Sequence, residues 1–149
     1  MKTVIFDWGR TLHDPETDGL FEGVLELVGE LSLRGYVLAL VSLAKSQDSE
    51  TRRKVIEESG IASYFNLILV GDDGKDDMYE RVLRELGVEG EEVIVVDDRV
   101  VRGIAWGNKV GAKTIWFQNG KFADELPTRE TGQPTHIITD IRNLADHIT

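Results

Sequence analysis

Short apolar runs alternating with amphipathic stretches constrain this chain more than any other feature. In order they read "TVIF", "FEGVLELVGELSLRG", "YVLALVS", "SETRRKVIEESG", "NLILVG", "KDDMYERVLRELG", "EEVIVVDD", "RGIAWGNKVG" and "KTIWFQ". Strand-like and helix-like segments taking turns predict a parallel sheet with helices on both faces. The strand-like runs are almost continuously apolar, as expected where both faces of a sheet are covered. Gly35, Gly60, Gly87 and Gly111 end the helical stretches, each at or just before a turn into the next strand. After Gln118 the polar stretch "NGKFADELPTRETGQPT" reads as a loop with at most a short helix, and "HIITDIRNLADHIT" as a short strand and a closing helix. At 149 residues the whole chain, 1–149, is expected to be one domain with one core.

Composition removes several classes of function. The chain is 41% hydrophobic and 30% charged, without a run of about 18 apolar residues, so no membrane segment is expected. The N-terminal "MKTVIFDW" lacks the hydrophobic core and cleavage site of a secretory leader, which points to the cytoplasm. With no cysteine, thiolate ligands and a thiol nucleophile are excluded. A formal charge of −10 opposes approach to a polyanion, so nucleic acid is not an expected partner.

Ligands of open parallel sheets bind beyond the C-terminal ends of the strands. Four places therefore matter: Asp7 after "VIF", Ser42 after "VLALV", Lys75 in "GDDGKDD", and Asp97 with Asp98 after "VIVV". Each has an ordinary reading: a carboxylate or hydroxyl bonding its own turn, a solvated lysine, acids opening a helix. Taken together, a carboxylate nucleophile, a hydroxyl, an amine and an acidic pair from four strand ends can surround one phosphoryl group. Trp106 and Trp116 fall in a helix-like and a strand-like segment and are expected in the core.

"FDWGRTL", "ALVS", "GKDDMYERVLRELGV" and "VIVVDDRVVRGIAWGNKVGAKTIWF" resemble, in order, the four motifs of the haloacid dehalogenase superfamily, most of whose members are phosphatases. The resemblance covers nearly the whole chain and implies a three-layer α/β/α, Rossmann-like core. It implies Asp7 as the nucleophile that forms an aspartyl-phosphate, and Mg²⁺ held by Asp7, the backbone carbonyl of Gly9 and Asp98, with Asp97 as the rival of Asp98. It implies Ser42 and Lys75 as groups that bind the phosphoryl oxygens and neutralise charge. Arg10, beside the nucleophile, is a candidate for binding an anionic part of the substrate.

Two departures accompany the resemblance. The family's phosphatases usually carry an acid where Gly9 stands, which protonates the leaving oxygen and then activates water. Gly103 stands where a further acid commonly supports the metal. His13 and Asp14 are nearby polar residues that could replace the missing acid, although a plain polar loop is the simpler reading. Only "HDPETDG" and "GDDG" occupy the places where cap domains are inserted, so no large cap is expected and the substrate can be a phosphoprotein or another large phosphorylated molecule. Three functions follow in descending order: a Mg²⁺-dependent phosphatase, an impaired module that binds phosphate or a protein partner, and a haloacid dehalogenase.

Overall fold

The computed structural model describes residues 2–44, 48–72 and 74–148. Six parallel strands form the central sheet: β1 (Thr3–Asp7), β4 (Val37–Leu43), β5 (Leu67–Gly71), β6 (Val93–Asp97), β7 (Lys113–Phe117) and β8 (His136–Ile138). Their order across the sheet is β5-β4-β1-β6-β7-β8. The chain moves outward from β1 through β4 and β5, then returns to the other side of β1 for β6, β7 and β8. Strand β1 is thus the switch point, and its C-terminal end opens between two connections that diverge.

Alternation along the strands builds two cores. Val4, Phe6, Leu38, Leu40, Ile94 and Val96 face α1 (Val24–Leu33), α2 (Ser49–Glu58) and the C-terminal turns. Ile5, Ala39, Val41, Val93 and Val95 face α3 (Lys75–Leu86) and α4 (Ala105–Val110). Trp106 and Trp116 are buried, as expected. The helix stops behave as read: Gly87 and Gly111 cap α3 and α4 at φ 66° and 83°, a backbone region open to glycine at little cost.

Two expected helices take particular forms. The expected closing helix is present as a 3₁₀ helix, Ile141–His147. Its buried anchors Ile141 and Leu144 are three residues apart, which suits three residues per turn, and Asp140 caps it by accepting from the Arg142 amide at 2.9 Å. The "RGIAWGNKVG" helix is entered through a π-helical turn, Val100–Ile104, and becomes α-helical only at Ala105. Between β1 and α1 the chain forms a small antiparallel hairpin, β2 (His13–Asp14) with β3 (Gly19–Leu20), in the place where a cap could have been inserted. No helix among the described residues is long and apolar enough to cross a membrane.

Candidate active site

Asp7 ends β1 opposite Val41, which places it beside Ser42 at the end of β4. The turn after it is wound tightly: the Trp8 carbonyl accepts from the amides of Thr11, Leu12 and His13, and the Arg10 amide donates to the His13 carbonyl at 2.8 Å. Arg10 itself adopts φ 61°, left-handed backbone that costs a non-glycine residue roughly 1 kcal/mol. That conformation is held from outside as well, because the Asn119 side chain donates to the Arg10 carbonyl at 2.8 Å and to the Phe117 carbonyl at 3.0 Å.

The side chains expected from sequence converge. Lys75, first residue of α3, makes a hydrogen-bonded ion pair with Asp7 Oδ1, and Thr11 Oγ1 donates to Asp7 Oδ2 at 3.3 Å. Arg52 of α2 donates to Ser42 Oγ at 2.7 Å. Asp97 is gripped by three donors: the amide of Arg99 at 3.1 Å, the amide of Gly103 at 2.8 Å and the Tyr79 hydroxyl at 3.1 Å. Asp98 is fixed through its backbone, whose carbonyl accepts from Trp116 Nε1 at 2.8 Å. Asp7, Ser42, Asp98, Gly9 and Arg10 all line one cavity of about 330 Å³. Asp97 points instead into the packing between Tyr79 and Gly103.

Electrostatics follow from burial. Carboxylate oxygens of Asp7, Asp97 and Asp98 lie within 4.8 Å of one another. Burial, and then the charges of Asp7 and Asp97, push Asp98 up to about 9. Burial also raises Asp7, and Asp97 adds to it, although Lys75 pulls the other way. For Lys75, burial favours the neutral amine, but attraction to Asp7 and Asp97 outweighs it and leaves the ammonium above its ordinary range. In metal-free protein the folded state therefore keeps a proton on this cluster that the unfolded chain has lost above pH 4. Stability should fall as pH rises from about 5 toward 9, by up to about 1.4 kcal/mol per pH unit for one proton. Thermal melts in chelator across that range check this; a flat or rising profile contradicts it.

The structure alters the reading of the two glycines. A Cβ built on Gly9 meets no atom within 4 Å, so the missing acid has space. A Cβ on Gly103 would lie 2.4 Å from Asp97 Oδ2 and 2.6 Å from the Tyr79 hydroxyl. No acid fits at 103 here; its place is taken by the amide and the tyrosine that hold Asp97. His13 stacks on Trp8 at 5.3 Å and bonds Asp18 at 3.1 Å, lining the neighbouring hollow, while Asp14 faces a different cavity. Among the described residues lining the central cavity, the acids are Asp7 and Asp98.

Sequence reading missed Thr11, Arg52, Tyr79, Arg102, Lys121 and Phe122. Tyr79 had a signal, one helical turn after Lys75 on the same face. Arg52 sat in a segment that reads as a solvated helix, and nothing local marks it.

The chain belongs to the haloacid dehalogenase-like hydrolase family, whose sequence pattern matches residues 1–117. It is 33% identical over 69 residues to a glyceraldehyde 3-phosphate phosphatase of Pyrococcus furiosus, a match covering 46% of this chain and 28% of that protein. It is 26% identical over 98 residues to the enzyme of the same name from Methanopyrus kandleri, covering 58% and 42%. The matches thus span less than half the length of these relatives. In fold it is similar to the D,D-heptose 1.7-bisphosphate phosphatase of B. bronchiseptica, solved with magnesium and phosphate, at TM-score 0.82 and 17% identity over 98% of this chain and 97% of that one.

Proposed function

We propose that the protein is a Mg²⁺-dependent phosphomonoesterase that works through an aspartyl-phosphate on Asp7. The observation carrying this reading is the convergence of Asp7, Ser42 and Asp98 on one cavity, with Lys75 bonded to Asp7 from beneath. The donor set fits a hard divalent cation: buried carboxylate oxygens within 4.8 Å of one another, in a cluster that otherwise retains a proton. Asp7, Asp98 and the Gly9 carbonyl would hold the ion. Bound there, Mg²⁺ would screen the carboxylate from the incoming phosphoryl oxygens and neutralise developing charge.

The chain's own groups then have separate tasks. Asp7 attacks phosphorus with one carboxylate oxygen, the ester P–O bond breaks, and the alkoxide leaves with the bonding pair and must find a proton. Arg52 occupies a lone pair of Ser42 Oγ, which leaves the serine proton to donate to a phosphoryl oxygen. Lys75 opposes the upward push of burial on Asp7 and orients its carboxylate. In the second half-reaction water attacks phosphorus, the bond to Asp7 breaks, and phosphate leaves with the carboxylate restored.

Asp97 serves as a positioning residue, because its oxygens are already occupied by Arg99, Gly103 and Tyr79. Gly9 favours a second reading, a phosphate-binding module without turnover, since no further acid lines the cavity among the described residues. Phosphate release from a panel of phosphomonoesters, with Mg²⁺ and with chelator, separates the two. Release that needs Mg²⁺ is expected; none from any ester favours the binding module, and release undiminished in chelator removes the metal from the mechanism.

A further inference from the structure

We propose that Arg10, Arg102 and Lys121 form a second anion subsite beside the phosphoryl pocket, so that the site selects small phosphomonoesters carrying a further carboxylate or phosphate. This rests on the phosphomonoesterase reading and names its substrate class.

The first observation is charge. In a chain of net charge −10, the central cavity is lined by five cationic side chains against two carboxylates. Among the described residues Arg52, Arg99 and Lys121 have assigned contacts, that of Lys121 being only the Phe122 ring at 5.1 Å. Arg52 bonds Ser42, and Arg99 pairs with Glu125 at 3.0 Å while lying 3.8 Å over the Phe122 ring. Arg10, Arg102 and Lys121 form no ion pair among the described residues. Like charges gathered in a concave site repel one another and raise the local potential. One phosphoryl dianion sharing the site with a divalent cation does not consume that excess, whereas a second anionic group does.

The second observation is how Arg10 is held. Its left-handed backbone is fixed by the His13 and Asn119 bonds, and its guanidinium lies so close over Gly120 that a Cβ there would meet Nη1 at 2.5 Å. Strain that the surroundings maintain is a mark of a positioned functional group. Lys121 is fixed from the same segment: it lies in the 3₁₀ turn Gly120–Phe122, which is closed by Gln118 Nε2 donating to the Ala123 carbonyl at 2.9 Å. Glu125 ties the end of this loop to the β6 connection, accepting from Arg99 Nε and from the Val101 amide at 3.1 Å. The backbone segments that carry Arg10 and Lys121 are therefore fixed before any ligand arrives, which lowers the ordering cost of binding. A cavity of about 330 Å³, with Phe122 and Lys121 on its wall, suits a compact phosphate ester better than a protein side chain in its backbone setting.

Inhibition of nitrophenyl phosphate hydrolysis tests this. Phosphoglycolate is compared with ethyl phosphate, and propanediol bisphosphate with propyl phosphate, so that carboxylate and phosphate are read separately. In the wild type at least one member with the second anion should bind about tenfold tighter than its partner, as a charge-assisted contact allows. Arg10→Gly should collapse that ratio, and its backbone is secure because φ 61° suits glycine. Lys121→Ala should reduce the ratio several-fold, and Arg10→Lys should restore part of it. Equal inhibition within both pairs overturns the proposal, as does a ratio unmoved by Arg10→Gly and Lys121→Ala, or a phosphoserine peptide without acidic neighbours binding as tightly as phosphoglycolate. If nitrophenyl phosphate is not hydrolysed at all, the phosphomonoesterase reading falls. Titration calorimetry with the same four compounds then decides the subsite by the same ratios.

Discussion

Asp7→Asn is expected to lower phosphate release by on the order of 10⁴-fold or more while leaving a folded protein. The amide is uncharged and a poor nucleophile, so the covalent step is lost and not merely slowed. Its oxygen can still accept from Lys75, which keeps the ammonium bonded, although the pair loses its charge balance. For stability two effects oppose each other: Lys75 loses its charge partner, while burial and repulsion from Asp97 no longer act on a carboxylate. Circular dichroism separates the loss of activity from misfolding. Phosphate release within tenfold of wild type, from a variant free of deamidation, would remove Asp7 from the chemistry.

A large discrimination between leaving groups is the second expectation. Nitrophenolate departs without a proton, whereas an alkoxide needs one, and no acid stands at position 9 to supply it. Activated esters should therefore react far faster than alkyl esters of equal charge. Water attacking the aspartyl-phosphate lacks its base too, so nitrophenyl phosphate should give a burst followed by slow turnover. Gly9→Asp should raise alkyl ester turnover by roughly 10²-fold, within the range of general acid–base catalysis. The space for it exists, since nothing lies within 4 Å of a Cβ at that position. Quenched-flow measurements on both ester types check all three points. Equal rates, no burst and no gain from the added acid would mean that another group already moves the proton; the adjacent His13 is then the residue to replace.

Much of this architecture was legible because each strand is buried on both faces and leaves an uninterrupted apolar run. Once β1, β4, α3 and β6 were placed, Asp7, Ser42, Lys75 and the pair Asp97 and Asp98 became candidates by the rule that ligands gather at strand ends, and the preference for Asp98 within that pair came from the family resemblance. What could not be read depends on contacts remote in sequence. Arg10 is shaped by Asn119, and Asp97 by Tyr79 and Gly103, pairs that no local pattern joins. The C-terminal segment was legible as a helix but not as a 3₁₀ one, because Ile141 and Leu144 satisfy both periodicities over so short a span. Arg52 shows the same limit from the other side: a residue in an exposed, charged helix reached the site only because α2, packed on β5, lets its side chain extend to Ser42 on the neighbouring β4.

Gly103 has a consequence for how this chain can change. A side chain at that position would meet Asp97 Oδ2 at 2.4 Å and Asp97 Cβ at 2.8 Å as well as the Tyr79 hydroxyl at 2.6 Å, so shortening Tyr79 alone does not make room for it. Admitting one requires Asp97 itself to move, which gives up the bonds from the Gly103 amide and the Tyr79 hydroxyl that hold it. Gly9 stands in the opposite situation, one substitution from an acid with open space around it. The two glycines therefore differ in reversibility: the space beside Asp7 admits a side chain by a single substitution, while the place behind Asp97 is already filled.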